Sequence, residues 1–149
     1  MKKLIVIALV VVMAVSVVAF AACGGEKVTG ECSYESYGHT YGVKVDVTVK
    51  DGKITAVKLY SEKETGWVRT SADNPDYGWT GHDETEAAYK QWIKDTFVGQ
   101  EVKTVQGWVA TATAAGQTVG AGVPHIAGGT QSSARIIVAV QNALSKLGK

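Results

Sequence analysis

Valines and polar residues alternate between positions 43 and 50: Val43, Val45, Val47 and Val49 are separated by Lys44, Asp46, Thr48 and Lys50. A period of two belongs to a strand with one buried face. Asp51-Gly52 follows, a pair suited to a two-residue hairpin turn, and residues 54–60 return as the second strand. An earlier strand is expected over residues 31–37, and Tyr37-Gly38 and Tyr41-Gly42 read as turn chemistry. Residues 61–81 are loop-like, with Gly66, Asn74-Pro75 and Gly78 set among Trp67, Tyr77 and Trp79. The period then lengthens: Tyr89, Trp92, Ile93 and Phe97 form the apolar stripe of a helix. Asp83 serves as its cap, Glu86 completes a capping box, and Gly99 closes the far end. Residues 102–112 predict a further strand. Residues 111–122 are too rich in Ala, Gly and Thr to assign, and Pro124 ends regular structure there. The strongest amphipathic pattern comes last, with Ile136, Ile137, Val140, Ala143, Leu144 and Leu147 on one helical face. The whole predicts an α+β fold: a small antiparallel sheet with a middle helix and a C-terminal helix.

The start of the chain follows a different rule. Lys2 and Lys3 precede an apolar run over residues 4–20, and Phe20, Ala21, Ala22 and Cys23 resemble a lipobox. The run is at the short end of the roughly 17 to 25 residues a spanning helix needs, and Gly24 and Gly25 behind Cys23 mark a cleavage point. We therefore expect residues 1–22 to be a lipoprotein signal peptide, Cys23 to be lipidated, and residues 23–29 to be a tether to a domain over residues 30–149. A retained transmembrane anchor is the alternative. Lipidation places the protein in the cell envelope, held on the extracytoplasmic face of the membrane by its acyl chains.

Charge and cysteine content narrow the chemistry. The 15 basic and 14 acidic side chains nearly balance, which disfavours nucleic acid as a partner. With Cys23 lipidated, Cys32 has no second cysteine in the chain, so no disulfide framework and no thiol metal site is expected. His39, His82 and His125 are widely spaced and form no helix-spaced metal pair. No nucleophile, base and orienting group stand in a recognisable pattern, and hydrolytic chemistry has no support.

Candidate binding chemistry is concentrated where the last helix begins. Gly128 and Gly129 allow a ligand close to the main chain, and Thr130, Ser132 and Ser133 bring hydroxyls to a helical turn whose N–H groups lack internal partners. The helix dipole favours an anion at that corner. No Asp or Glu occurs from Val102 to Lys149, whereas Lys103, Arg135, Lys146 and Lys149 are basic, and Arg135 lies close enough to pair with a phosphate. An ordinary loop and N-cap would have a similar composition.

These residues resemble the C-terminal signature of the FMN-binding domain found in ion-pumping NADH:quinone and ferredoxin oxidoreductases and in related bacterial surface lipoproteins. The family pattern is Asp, two variable residues, Ser or Thr, Gly, Ala and Thr, then a hydroxyl pair opening a helix. Gly128 matches the Gly, Thr130 the final Thr, and Ser132 with Ser133 the pair; Pro124, Ala127 and Gly129 stand where the family has Asp, Ser or Thr, and Ala. The resemblance extends to the hairpin around Asp51-Gly52 and to Glu64-Thr65-Gly66. It implies FMN as cofactor and an electron carrier more than a stand-alone enzyme, with redox proteins as partners. In that family a flavin transferase joins the FMN phosphate to the final Thr. Covalent attachment at Thr130 and non-covalent occupancy of the same cradle both remain open, and the missing Asp and Ser favour the second. Trp67, Tyr77 and Trp79 are candidates to stack on the flavin ring, and Thr65 and Gly66 to approach it with backbone groups. A lipoprotein that binds flavin or another small ligand without redox turnover, or a surface-interaction domain, is the rival reading.

Overall fold

The computed structural model describes residues 24–67, 83–126 and 129–148, with the side chains of residues 83–86 left out. The leader, Cys23 and its lipidation, Gly128, Tyr77, Trp79 and the capping pair Asp83 and Glu86 therefore lie outside the described residues or side chains.

Three strands, β1 (Glu26–Ser36), β2 (His39–Lys50) and β3 (Lys53–Leu59), form an antiparallel meander in the order β1-β2-β3. Both connections are two-residue turns with positive φ at each position, 48° and 75° at Tyr37 and Gly38, and 53° and 73° at Asp51 and Gly52. Such primed turns match the twist of paired strands, so the register of β2 is fixed at both ends. Val43, Val45, Val47 and Val49 are all buried on the inner face, as their alternation predicts. Strand β1 starts at Glu26, earlier than the expected residue 31, and takes residues 26–29 of the expected tether into the sheet, from Glu26↔Val49 onward. Its alternation is hidden in the sequence because an inward position is Gly30. A Cβ there would lie 2.0 Å from the Ala139 carbonyl oxygen, so a helix crosses β1 on bare backbone.

The first part of the expected loop is instead one helical turn, α1 (Glu62–Thr65). Ser61 and Glu64 close it with a reciprocal capping box, and Gly66, at φ 71°, ends it. Helix α2 (Asp83–Phe97) buries Tyr89, Ile93 and Phe97 and half-buries Trp92, the predicted stripe. Its end is fastened to β3: Gly99, at φ 88°, donates to the Ile54 carbonyl at 2.8 Å, and Ile54 N–H donates to Gln100 O at 2.9 Å.

The strand predicted over residues 102–112 is not one element. Its first half is a helical turn, α3 (Val102–Gln106), and only its end belongs to β4 (Ala110–Thr113), which pairs with β5 (Gly116–Val119) in a hairpin. Val102 and Val105 are three residues apart and therefore share a face when coiled; Val105 is completely buried. The Ala-, Gly- and Thr-rich stretch that resisted assignment is this second hairpin.

Helix α4 (Thr130–Leu144) lies across the inner face of β1 and β2 and against the β4–β5 hairpin. Ile136, Ile137, Val140, Ala143 and Leu144 meet the β2 valines, Phe97 and Val105 in one core. Each large aliphatic side chain buried there stabilises the fold by about 1.5–3 kcal/mol. The helix runs antiparallel to β1. At its start Arg135 reaches Tyr34; beyond its end, Lys146 Nζ donates to Thr29 O at 2.7 Å and Gly148 N–H donates to Glu26 Oε1 at 3.1 Å. The observed fold is the expected α+β arrangement, a small antiparallel sheet with a middle and a C-terminal helix.

Candidate functional site

The start of α4 is built on Gly129, its N-cap, which carries no side chain to bond the first-turn N–H groups. The first i to i−4 bond runs from Ser133 N–H to Gly129 O at 2.9 Å, so the N–H groups of Thr130, Gln131 and Ser132 precede the helical ladder. Thr130 and Ser132 are half-buried beside them. Ser133 is fully buried and plays a bracing role. Its Oγ accepts from Ile126 N–H at 3.1 Å and supports the preceding loop from beneath.

Tyr89 of α2 closes one flank. Its hydroxyl donates to Gly129 O at 3.3 Å and also bonds the Ser132 side chain. Burial pushes this phenol above its ordinary pKa, while the Ser132 bond and the Arg135 charge pull it back. A Cβ on residue 129 would lie 2.0 Å from the Tyr89 hydroxyl oxygen. Gly129 is therefore fixed by Tyr89 as well as by any need for a ligand to approach the backbone. The sequence places Tyr89 in the core stripe and gives it no site role. The signal was its hydroxyl, because a tyrosine turned into a core must find a hydrogen-bond partner.

Arg135, one turn further along α4, is only 4% exposed. Its Nε donates to the Tyr34 hydroxyl at 3.0 Å, and its guanidinium carbon lies 5.5 Å from the Tyr34 ring centre. The charge thus stands near the cradle but is directed towards β1. Burial pushes the Tyr34 phenol up, and Arg135 partly offsets this. Arg135 has the same effect on Cys32, the free thiol beneath, which burial pushes up to about 11.

Glu64, Thr65, Gly66 and Trp67 form a separate, self-capped unit. Glu64 Oε2 accepts from Ser61 N–H at 2.7 Å and Oε1 from Lys58 Nζ at 3.5 Å; the Ser61 backbone bond holds its carboxyl below the usual range. Thr65 Oγ1 accepts from Trp67 N–H at 3.1 Å, and Trp67 is half-buried. The capping geometry accounts for all three residues that precede Trp67.

Residues 38–145 match the profile of the FMN-binding domain. The chain belongs to the FMN-binding domain family. No curated protein and no solved structure matches it. The match begins after β1, so the strand that supplies Tyr34 lies outside the matched region. FMN is the cofactor of this domain, and the residues present fit its phosphate: three first-turn N–H groups at a positive helix end, with the Thr130 and Ser132 hydroxyls alongside. Gly129 departs from the family's Ala for a visible reason, since the Tyr89 hydroxyl fills the space an alanine methyl would need.

Proposed function

We propose that this FMN-binding domain is a membrane-anchored electron carrier, held through lipidated Cys23 on the extracytoplasmic face and exchanging electrons with redox partner proteins. The observation that supports it most is the first turn of α4, whose N–H groups precede the helical ladder beside the Thr130 and Ser132 hydroxyls on a core-packed helix. Bound FMN supplies reversible electron transfer, and the chain's residues hold and orient it. Tyr89 keeps the Gly129 and Ser132 groups aligned, Ser133 fixes the loop behind them, and Arg135 adds positive potential close by. Non-covalent binding with Thr130 as a phosphate ligand fits the altered signature best; a flavin transferase acting on Thr130 is the other route to the same site.

Titration with FMN and riboflavin tests the cradle. FMN should bind at least about tenfold more tightly, because only FMN carries the phosphate. Equal affinities would remove the helix start from the binding site. Reduction of the bound flavin, followed by its reoxidation on adding an acceptor, separates a carrier from a flavin-binding lipoprotein without turnover. Co-expression with a transferase should give a fluorescent band on denaturing gels that Thr130→Ala abolishes if the covalent route operates.

A further inference from the structure

At the opposite end of α4 from the cradle, a cleft of about 640 Å³ opens between the β2–β3 turn, α3 and the last residues of the helix. The 15 residues of α4 set it about 22 Å from Thr130 at 1.5 Å per residue, and no residue of the helix start or of α2 lines it. Its two walls are joined backbone to backbone: Val102 N–H donates to Gly52 O at 3.0 Å, and Lys53 pairs with Glu101 in an antiparallel bridge. Each wall carries one carboxylate and one ammonium, Asp51 and Lys53 on the turn and Glu101 and Lys103 at α3, and all four are exposed. Among the described residues, none of these four side chains is hydrogen-bonded or ion-paired. Apolar side chains complete the lining, with Val49 and Leu144 buried and Val102 and Leu147 half-buried. Glu26, the first residue of β1, lines the same cleft, and its carboxylate accepts from Gly148 N–H at 3.1 Å.

Two free charges of each sign favour an occupant that carries both signs itself. A plain anion would meet the lysines but be repelled by Asp51 and Glu101, whereas a zwitterion satisfies all four with charge-assisted bonds. The apolar part of the lining calls for a hydrocarbon portion on the same molecule. Position supplies the third criterion. Cys23 precedes Glu26 by three residues, a reach of at most about 11 Å, so an acyl anchor there brings the cleft to the level of the bilayer surface. We propose that the cleft seats one zwitterionic phospholipid with a primary amine in its headgroup. Its phosphate meets Lys53 and Lys103, its ammonium meets Asp51 and Glu101, and the start of one acyl chain lies over Val102 and Leu147. This rests on the anchoring reading, which brings lipid to this end of the molecule. The lipid and FMN occupy opposite ends of α4 and can be held together.

Native mass spectrometry of the full chain, isolated from membranes in a neutral detergent and given equal amounts of phosphatidylethanolamine and phosphatidylglycerol with matched chains, tests the seat. One phosphatidylethanolamine should be retained, in preference to phosphatidylglycerol by at least about fivefold, the scale of two exposed ion pairs. Asp51→Asn with Glu101→Gln should abolish that preference, and asparagine keeps the positive φ of 53° at position 51 accessible. Lys53→Gln with Lys103→Gln should instead weaken both lipids, because both carry the phosphate, and carries the test if the first pair fails to fold. FMN affinity should be the same in the parent and in both variants. No retained lipid, equal retention of the two lipids by the parent, an unchanged pattern in the variants, or competition between lipid and FMN would each overturn the proposal. The same spectra give the mass of the chain itself. A chain without acyl groups that still retains phosphatidylethanolamine would count against the anchoring reading and leave the seat standing.

Discussion

At the level of single residues, the contact between Tyr89 and Gly129 couples the middle helix to the cradle. Gly129→Ala forces a methyl against the Tyr89 hydroxyl and should cost about 1–3 kcal/mol of stability. Tyr89→Phe in the same background should recover part of that loss, since the nearest remaining ring atom lies 3.0 Å from the added carbon. Thermal unfolding of the two single variants and the double variant measures the coupling, and strict additivity would show that the two groups do not meet. Asp46 gives a second expectation. It is 4% exposed on the outer face of the sheet, where it accepts bonds from Thr29 at 2.7 Å and Tyr60 at 2.9 Å and pairs with Lys27 at 2.7 Å. Burial alone would raise its pKa, but the bonds from Lys27, Thr29 and Tyr60 outweigh it and hold the carboxyl below its ordinary value. Its contribution is therefore complete above the unfolded value of about 3.9 and is lost as the pH falls through the lower folded value. Asp46→Asn should flatten that acid limb of the stability curve measured by denaturant titration; an unchanged limb would mean that other carboxylates control it.

Among the elements, β1 is an edge strand whose outer carbonyls are covered by side chains of, or just beyond, α4. Asn142 Nδ2 donates to Glu31 O at 2.8 Å and Lys146 Nζ to Thr29 O at 2.7 Å, four residues apart on one face. An uncovered edge is a template for pairing with another chain. Replacing both residues with alanine should raise the mean mass seen by light scattering above that of the parent, and an unchanged mass would show that the edge is protected otherwise. The same elements show what sequence pattern can and cannot reveal. The β2–β3 hairpin and the apolar faces of α2 and α4 were readable because valine alternation and the three-to-four spacing report burial directly. The first half of β1 was not, because Gly30 is inward-facing yet contributes no side chain, and neither was α3, because valines three apart within a β-prone run suit a strand by composition and a helical turn by geometry. In the site, glycine and hydroxyl residues pointed to the helix start. The directions taken by Ser133 and Arg135, and the role of Tyr89, depend on partners 7, 101 and 40 residues away in the chain, a separation no local pattern encodes.

For the molecule as a whole, the family match, the start of α4 and the core beneath it define a flavin platform. Its orientation follows from the antiparallel course of α4 and β1. The 11 residues of β1 span roughly 35 Å at about 3.3 Å per residue, leading from the end next to Cys23 to the end where α4 begins. In an anchored protein the cofactor consequently stands off from the bilayer by about four screening lengths at physiological salt, each about 8 Å. The lipid surface charge should then be invisible to the flavin: FMN affinity and reduction potential should be the same on neutral and on anionic vesicles at 0.15 M ionic strength, as measured by flotation and redox titration. A dependence on lipid charge would mean that the platform lies down on the membrane. If it stands, β1 acts as a mast, and a donor embedded in the bilayer must reach upward to meet the flavin.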